Sequence, residues 1–136
     1  MEKTMQTLRV MVVDDNPVVS ERLAGLLGED ERVEVCDRVE SGLLAFARIA
    51  VDRPDAVLMD LEMPGIGGLA AIRRIKALVS PPAVIVVTLH DSDEMRREAA
   101  RAGADAFVPK SRVGHDLLRT LLALFPRKPS RGKAVA

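Results

Sequence analysis

Three aspartates lie at the ends of two strand-like apolar runs, and together they could bind a cation or accept a phosphoryl group. Asp60 follows the apolar run 56–59, and Asp14 and Asp15 follow the run 10–13. If the two runs are neighbouring parallel strands, the three carboxylates meet at the edge of the sheet where open α/β folds bind ligands. Clustered carboxylates repel one another, so such a site must hold a cation or protons.

Two further polar residues end the later runs: Thr88 follows the run 84–87, and Lys110 comes shortly after the run 106–108. Carboxylate oxygens suit Mg²⁺, which binds through one or two acids plus a phosphate. A lysine ammonium pairs with an anion, a hydroxyl can donate to a phosphoryl oxygen, and an aspartate can act as a nucleophile that forms an acyl phosphate. Each residue alone is more often an ordinary cap, turn or surface residue. Their combination is what indicates phosphoryl chemistry.

Strand-length apolar runs alternate with segments of helical period. The alternation predicts an α/β fold, with a parallel sheet, helices on both faces and right-handed crossovers. The predicted strands are Leu8–Val13, Val33–Arg38, Ala56–Asp60, Ala83–Thr88 and Asp105–Val108. The first predicted helix runs from the Asn16-Pro17 cap to Gly28, and the second covers Ser41–Val51 with Leu44, Ala45 and Ile49 pointing inward. The third covers Leu69–Val79, the fourth begins at a capping box at Asp91 and ends before Gly103, and the fifth covers Val113–Leu124.

Composition narrows the function classes. The 136 residues fit one domain, and the formal net charge of zero provides no excess of positive charge to attract nucleic acid. No apolar stretch is long enough to span a membrane. Cys36 is the single cysteine, so an internal disulfide is excluded and a reducing, cytoplasmic setting is expected.

Taken in order, these motifs resemble the receiver domain of two-component response regulators. The residues that carry the resemblance are the segments 12–16, 60–68 and 103–110 together with Thr88. The lysine-serine pair at Lys110 is similar to receivers of the NarL/LuxR-type branch. The resemblance implies a flavodoxin-like doubly wound (βα)5 three-layer sandwich, with a five-stranded parallel sheet in the order 2-1-3-4-5.

The resemblance covers residues 8–125. It leaves a short N-terminal extension, residues 1–7, and a basic tail, residues 126–136, that we expect to be disordered.

The resemblance also assigns roles to the acidic residues. Asp60 would accept the phosphoryl group from a histidine kinase, a histidine phosphotransferase or a small phosphodonor. Asp15 and Asp60 would ligate Mg²⁺ together with the Glu62 backbone carbonyl, and Asp14 would act nearby or through water. On this view the chain catalyses at most its own phosphorylation and dephosphorylation.

The same resemblance implies a switch. Lys110 would neutralise the phosphate, Thr88 would swing toward it, and Phe107 occupies the position of the family's switch aromatic, although plain core packing remains an equal alternative. The readout surface would be helix 4, strand 5 and helix 5, which would contact a downstream protein. Whether phosphorylation also drives dimerisation through helices 4 and 5 is left open.

Three residues beside the pocket either depart from the receiver-family pattern or occupy positions that vary within the family. Leu89 follows Thr88, where the family usually has a small residue. We expect it either to narrow access to Asp60, which would slow phosphorylation and hydrolysis, or to bias the switch. Glu62 and His90 occupy two variable positions that tune the lifetime of the phosphoryl group in this family.

Two alternatives to the phosphoacceptor remain at this stage. One is a phosphohydrolase with an aspartyl nucleophile, although Asp14 and Asp15 lack the spacing that matches it. The other is a docking receiver that is not phosphorylated, or the detached receiver of a DNA-binding regulator. We do not expect this chain itself to bind DNA.

Overall fold

A computed structural model describes residues 7–63 and 67–126, and within them five strands alternate with five α-helices. This is the α/β class that the alternation predicts. The strands are β1 Leu8–Val13, β2 Val33–Val39, β3 Ala56–Met59, β4 Ala83–Thr88 and β5 Ala106–Pro109. The helices are α1 Pro17–Gly28, α2 Gly42–Asp52, α3 Gly68–Lys76, α4 Asp93–Ala102 and α5 Val113–Leu124, and a 3-10 turn, Lys110–Arg112, precedes α5.

The five strands form one parallel sheet in the order β2-β1-β3-β4-β5, which confirms the flavodoxin-like arrangement. Because β1 and β3 are neighbours, Val13 pairs with Met59, and the residues that follow them lie side by side. The pairing of Thr88 with Pro109 brings the carboxyl ends of β4 and β5 to the same edge.

Alternate residues of each strand face opposite sides of the sheet, as the pleat requires. In β1 and β3 the odd-numbered side chains pack against α2, α3 and α4, and the even-numbered ones pack against α1 and α5. Both faces are therefore covered, which is why the central strands appear in the sequence as continuous apolar runs.

The prediction that α3 extends to Val79 is wrong, since the helix ends at Lys76. The amide of Ala77 donates to the carbonyls of Arg73 and Arg74, which tightens the last turn. Pro81 and Pro82 then prevent the chain from continuing as a helix.

Helix α4 begins at Asp93 and not at the predicted Asp91. The Ser92 hydroxyl accepts a hydrogen bond from the amide of Met95, so Ser92 is the N-cap. Asp91 lies outside the helix and accepts a hydrogen bond from Arg96 Nε at 2.9 Å.

Some predictions fall outside the described residues: those for residues 1–6, for the loop 64–66 and for the tail from residue 127. In the ranges 7–63 and 67–126, no helix is long and apolar enough to cross a bilayer.

Candidate functional site

The three predicted aspartates meet where β1 and β3 end. Asp14 donates its amide to the Val39 carbonyl, and Asp60 donates its amide to the Val13 carbonyl, so the sheet pairing continues through both residues. Asp14 and Asp60 are buried, whereas Asp15 is exposed. One carboxylate oxygen from each of the three lies within 4.8 Å of the others. The cluster predicted from the strand ends is therefore present.

Lys110 supplies the positive charge of this cluster. Its Nζ lies 3.0 Å from Asp14 Oδ2 and 3.6 Å from Asp60 Oδ1. The lysine side chain is 12% exposed and the two carboxylates still less, so water screens these ion pairs only weakly. Asp14 Oδ2 accepts no hydrogen bond of good geometry from residues 7–63 and 67–126, and its ion pair with Lys110 is its main compensation.

Thr88 lies at the end of β4 and is fully buried. Its Oγ1 accepts a hydrogen bond of 3.3 Å from the backbone amide of His90. Because a hydroxyl is also a donor, its proton remains available for an oxygen in the pocket. The β4–β5 pairing places Thr88 on the same sheet edge as Lys110.

Folding raises the pKa of the Asp60 carboxyl above its ordinary value. Burial is the main cause, and the nearby charge of Asp14 adds to it. The amide of Glu62, which donates to Asp60 Oδ1 at 3.2 Å, and the charge of Lys110 act in the opposite direction. A further cation near Asp60 would therefore stabilise the charged form of its carboxyl group.

The acidic cluster fits a divalent cation on its own chemistry. Two buried carboxylates and one exposed one offer hard oxygen ligands in one place. Within residues 7–63 and 67–126, the one cation paired with them is Lys110, which contacts the two buried ones. Among the described residues, the buried Asp14 Oδ2 has only its ion pair with Lys110 as a partner. The geometry therefore supports a metal site formed by Asp14, Asp15 and Asp60.

This electrostatic arrangement predicts that Asp60→Asn has a higher melting temperature than the wild type at neutral pH when divalent cations are chelated. An acid whose pKa is raised by folding stabilises the protein while it is protonated. That contribution is present below the unfolded-state pKa of about 4 and is lost as the pH rises through the higher folded-state pKa. The advantage of the asparagine should therefore grow across that interval.

Thermal unfolding in a chelator, measured from acidic to neutral pH, checks this expectation. Glu21→Gln is the matched control, because Glu21 is exposed on α1 and outside the cluster. If the difference in melting temperature between Asp60→Asn and the wild type stays constant with pH, the electrostatic account is contradicted.

Glu62 and His90 contact each other beside the pocket. Glu62 Oε2 and His90 Nδ1 form a close polar contact between the loops that follow β3 and β4. The sequence prediction placed both residues at the pocket but did not predict that they touch. The adjacency of β3 and β4 was the signal available, because residues that follow neighbouring parallel strands meet at one edge.

Leu89 does not fill the pocket, since 71% of it is exposed. It lines a cleft of about 240 Å³ between α1 and the start of α5, together with Val19, Leu23, Lys110 and Val113. Lys110, which pairs with Asp14 and Asp60, lines the same cleft.

Phe107 is half-buried on β5, between the core and the surface. The guanidinium carbon of Arg96 lies 4.6 Å from the centre of its ring, in a cation–π contact. The Nε of the same arginine forms an ion pair with Asp91 Oδ1 at 2.9 Å. Sequence reasoning missed Arg96, because a surface arginine on an amphipathic helix carries no signal of what it covers.

Gly68, the first residue of α3, lies against the Asp60 loop. A Cβ at this position would be 2.6 Å from the Asp60 carbonyl oxygen and 2.7 Å from the Leu61 Cα, closer than real atoms approach. Glycine here therefore lets α3 begin in direct contact with the loop that carries Asp60.

We expect Gly68→Ala to lower the free energy of unfolding by about 1–3 kcal/mol, since neither backbone neighbour can move without displacing Asp60. Gly25→Ala is the matched control: Gly25 is exposed in α1, nothing lies within 4 Å of the place that an added methyl group would occupy, and alanine should stabilise that helix by up to about 1 kcal/mol. Urea denaturation measures the free energy of unfolding of both variants. Equal changes in this free energy would contradict the close approach of Gly68 to the Asp60 loop.

Comparison with known proteins agrees with this geometry. Residues 10–122 match the family model described as the response regulator receiver domain. A protein-glutamate methylesterase/protein-glutamine glutaminase of Albidiferax ferrireducens is 40% identical over 105 residues, which cover 76% of this chain and 30% of that protein. The positive alginate biosynthesis regulatory protein of Pseudomonas aeruginosa is 36% identical over 115 residues, which cover 84% of this chain and 46% of that protein. The chain thus spans less than half the length of either relative.

Solved structures show the same fold. A LuxR-family two-component response regulator from Aurantimonas sp. superposes with a TM-score of 0.84 at 29% identity, over 91% of this chain and 89% of that one. The response regulator domain of CheB from Thermotoga maritima superposes with a TM-score of 0.78 at 26% identity, over 92% of this chain and 98% of that one.

Proposed function

Because the chain belongs to the response regulator receiver domain family of two-component systems, we propose that it accepts a phosphoryl group on Asp60 and then changes its protein contacts. The donor would be a histidine kinase, a histidine phosphotransferase or a small acyl phosphate. The arrangement that supports this most is Asp60 in an acidic cluster, 3.6 Å from the Nζ of Lys110. The single cysteine suits a cytoplasmic site of action.

In the proposed reaction, a carboxylate oxygen of Asp60 attacks the phosphorus, the new phosphorus–oxygen bond forms, and the donor leaves with the electron pair of the bond that breaks. Mg²⁺, held by Asp14, Asp15, Asp60 and the Glu62 carbonyl, would supply positive charge to the phosphoryl oxygens. Lys110 would stabilise the same charge from its position between the two buried aspartates.

The proposed switch begins at Thr88 and Lys110. Lys110 pairs with Asp14, and a phosphoryl group would compete for its charge. The Thr88 Oγ1 accepts from the His90 amide, so its hydroxyl proton is free to be donated to a phosphoryl oxygen. A phosphoryl group adds charge and acceptor oxygens on Asp60. Reorientation of Thr88 would shift the loop after β4, and Phe107 would transmit the shift to the face formed by α4, β5 and α5, where a downstream protein would dock.

We assign residues 8–125 to this receiver unit, and we propose that its only catalysis is its own phosphorylation and dephosphorylation. Incubation with acetyl phosphate and Mg²⁺, with donor consumption followed over time, tests the assignment. We expect at most one phosphoryl group per chain, and donor consumption that after the first equivalent continues only at the slow rate at which this group is hydrolysed. Rapid, repeated turnover of the donor would indicate a phosphohydrolase instead, and an absence of any adduct would favour a docking receiver.

We expect Leu89→Ala to label faster with acetyl phosphate than the wild type, because removing the leucine side chain widens the approach to Asp60. Val18→Ala is the matched control, since Val18 is an equally exposed aliphatic residue on α1, 74% exposed against 71% for Leu89. Initial labelling rates, read by intact mass, decide the point. Equal rates for Leu89→Ala and the wild type would rule out a gating role for Leu89.

A further inference from the structure

Helix α2 exposes an unusual amount of apolar surface. Leu43 is 57% exposed, Val51 is 72% exposed, and Ala47 between them is exposed as well. Their spacing of four residues places all three on one stripe of the helix. Leu44, which the helical pattern predicts to point inward, is 42% exposed and widens the stripe. A helix that is apolar on nearly all sides is normally covered by another element.

The apolar surface continues beside the stripe. A groove of about 670 Å³ separates α2 from the loop between α3 and β4, and Phe46, Ala50, Pro54, Leu78 and Pro82 line it. Val79 in that loop is 100% exposed. Exposed single aliphatic residues are ordinary, but a contiguous patch of this kind marks an interaction site.

Charges at the two ends of α2 indicate what covers it. Glu40 precedes the N-cap and Arg53 is the C-cap, and both are exposed. Within residues 7–63 and 67–126, neither forms an ion pair. With respect to the described part of the chain, the helix therefore carries an unpaired acid at its start and an unpaired base at its end. Two copies that run antiparallel would place each acid beside the base of the other copy.

We infer that the α2 face is the interface of a homodimer, with two α2 helices packed antiparallel about a two-fold axis at Ala47. In that arrangement Leu43 of each copy lies opposite Val51 of the other, and Glu40 lies beside Arg53 of the other. The interface is isologous, as a two-fold dimer requires. The small Ala47 at the centre permits close approach of the helices, and antiparallel helix dipoles attract.

Two further properties fit a second copy as the occupant. The chain has a formal net charge of zero, so two copies do not repel each other at long range. The stripe also lies apart from the proposed readout face, because α3 packs between α2 and α4. One short helix and a loop form a small interface, so we expect a dissociation constant on the order of micromolar.

Sedimentation equilibrium of the full chain, at concentrations on either side of that value, tests the dimer. The weight-average mass of the wild type should rise from monomer toward dimer. Ala47→Glu should remain monomeric, since it places two like charges on the two-fold axis. Val18→Glu is the control, because it adds the same charge to an exposed aliphatic position on α1, and it should dimerise like the wild type.

Charge reversal provides a second test that does not depend on the folding of Ala47→Glu. Glu40→Arg and Arg53→Glu should each weaken the dimer several-fold, and the double variant should restore it. A wild type that stays monomeric at all concentrations would overturn the inference and leave the face to a different protein. Two results would overturn the antiparallel α2 arrangement. One is that folded Ala47→Glu dimerises as strongly as the wild type, and the other is that the double variant dimerises no more strongly than the single variants.

Discussion

Asp60→Asn should lose all detectable phosphoryl labelling from acetyl phosphate and Mg²⁺ while it keeps the native fold. The asparagine amide has the size of the carboxylate but is not a nucleophile toward phosphorus. Asp14 cannot readily replace Asp60, because its carboxylate is engaged by Lys110 at 3.0 Å and by the amide of Asn16 at 2.9 Å. Intact mass after incubation with the donor gives the labelled fraction directly.

Two controls make the Asp60→Asn result specific. Glu21→Gln is an equivalent amide substitution on the exposed face of α1 and should label like the wild type. Thermal unfolding should show Asp60→Asn at least as stable as the wild type in a chelator, since the raised pKa of Asp60 reflects a charge that the fold tolerates poorly. Undiminished labelling of a folded Asp60→Asn protein would place the phosphoacceptor elsewhere.

Lys110→Met should impair both stability and chemistry. Methionine keeps much of the apolar stem but leaves two buried carboxylates without their counter-charge, and removing one partner of a buried pair costs about 3 kcal/mol. We expect that loss at neutral pH in a chelator, with part of it recovered by Mg²⁺ through binding to the folded state. The labelling rate should fall by about a hundredfold, as when one preorganised charge-stabilising group is removed.

Lys76→Met is the matched control for the lysine. Lys76 pairs with Asp105 at 2.9 Å, but the two side chains are 22% and 36% exposed, so water screens this pair. Its loss should cost about 1 kcal/mol or less and leave the labelling rate unchanged. Urea denaturation and intact mass measure the two quantities for both variants. If Lys110→Met has the same free energy of unfolding and the same labelling rate as Lys76→Met, Lys110 is not the electrostatic partner of the cluster.

The acidic cluster was predictable because it depends on the simplest rule of parallel sheets. Asp14, Asp60 and Thr88 directly follow apolar runs, and the carboxyl ends of parallel strands share one edge. The adjacency of β1 and β3, which joins Asp14 to Asp60, was an implication of the family resemblance and not of the residues themselves. The sheet order confirms it.

Contacts between side chains on different loops and helices were not predictable in the same way. The Glu62–His90 contact and the position of Arg96 over Phe107 depend on loop conformation and on the exact placement of α4. The start of α4 was itself predicted two residues early, because Asp91 and Ser92 are both good caps and only the hydrogen bond to Met95 distinguishes them.

The α2 face shows a further limit of pattern reasoning. Helical spacing correctly placed Ala45 and Ile49 in the core, but it also placed Leu44 there. When apolar residues surround a helix, periodicity alone does not say which of them the sheet covers. The surplus apolar residues then indicate a second interface, which is the basis of the inferred homodimer.

The role of Asp60 as the phosphoacceptor of a switch can be checked by locating the phosphoryl group on the wild-type chain. After incubation with acetyl phosphate and Mg²⁺, the acyl phosphate can be trapped by hydride reduction, which converts the modified aspartate to homoserine, and mapped by peptide mass spectrometry. We predict homoserine at position 60, with no modification at Asp14 or Asp15. Modification at another residue, or none under conditions in which the protein is folded and Mg²⁺ is bound, would contradict this role.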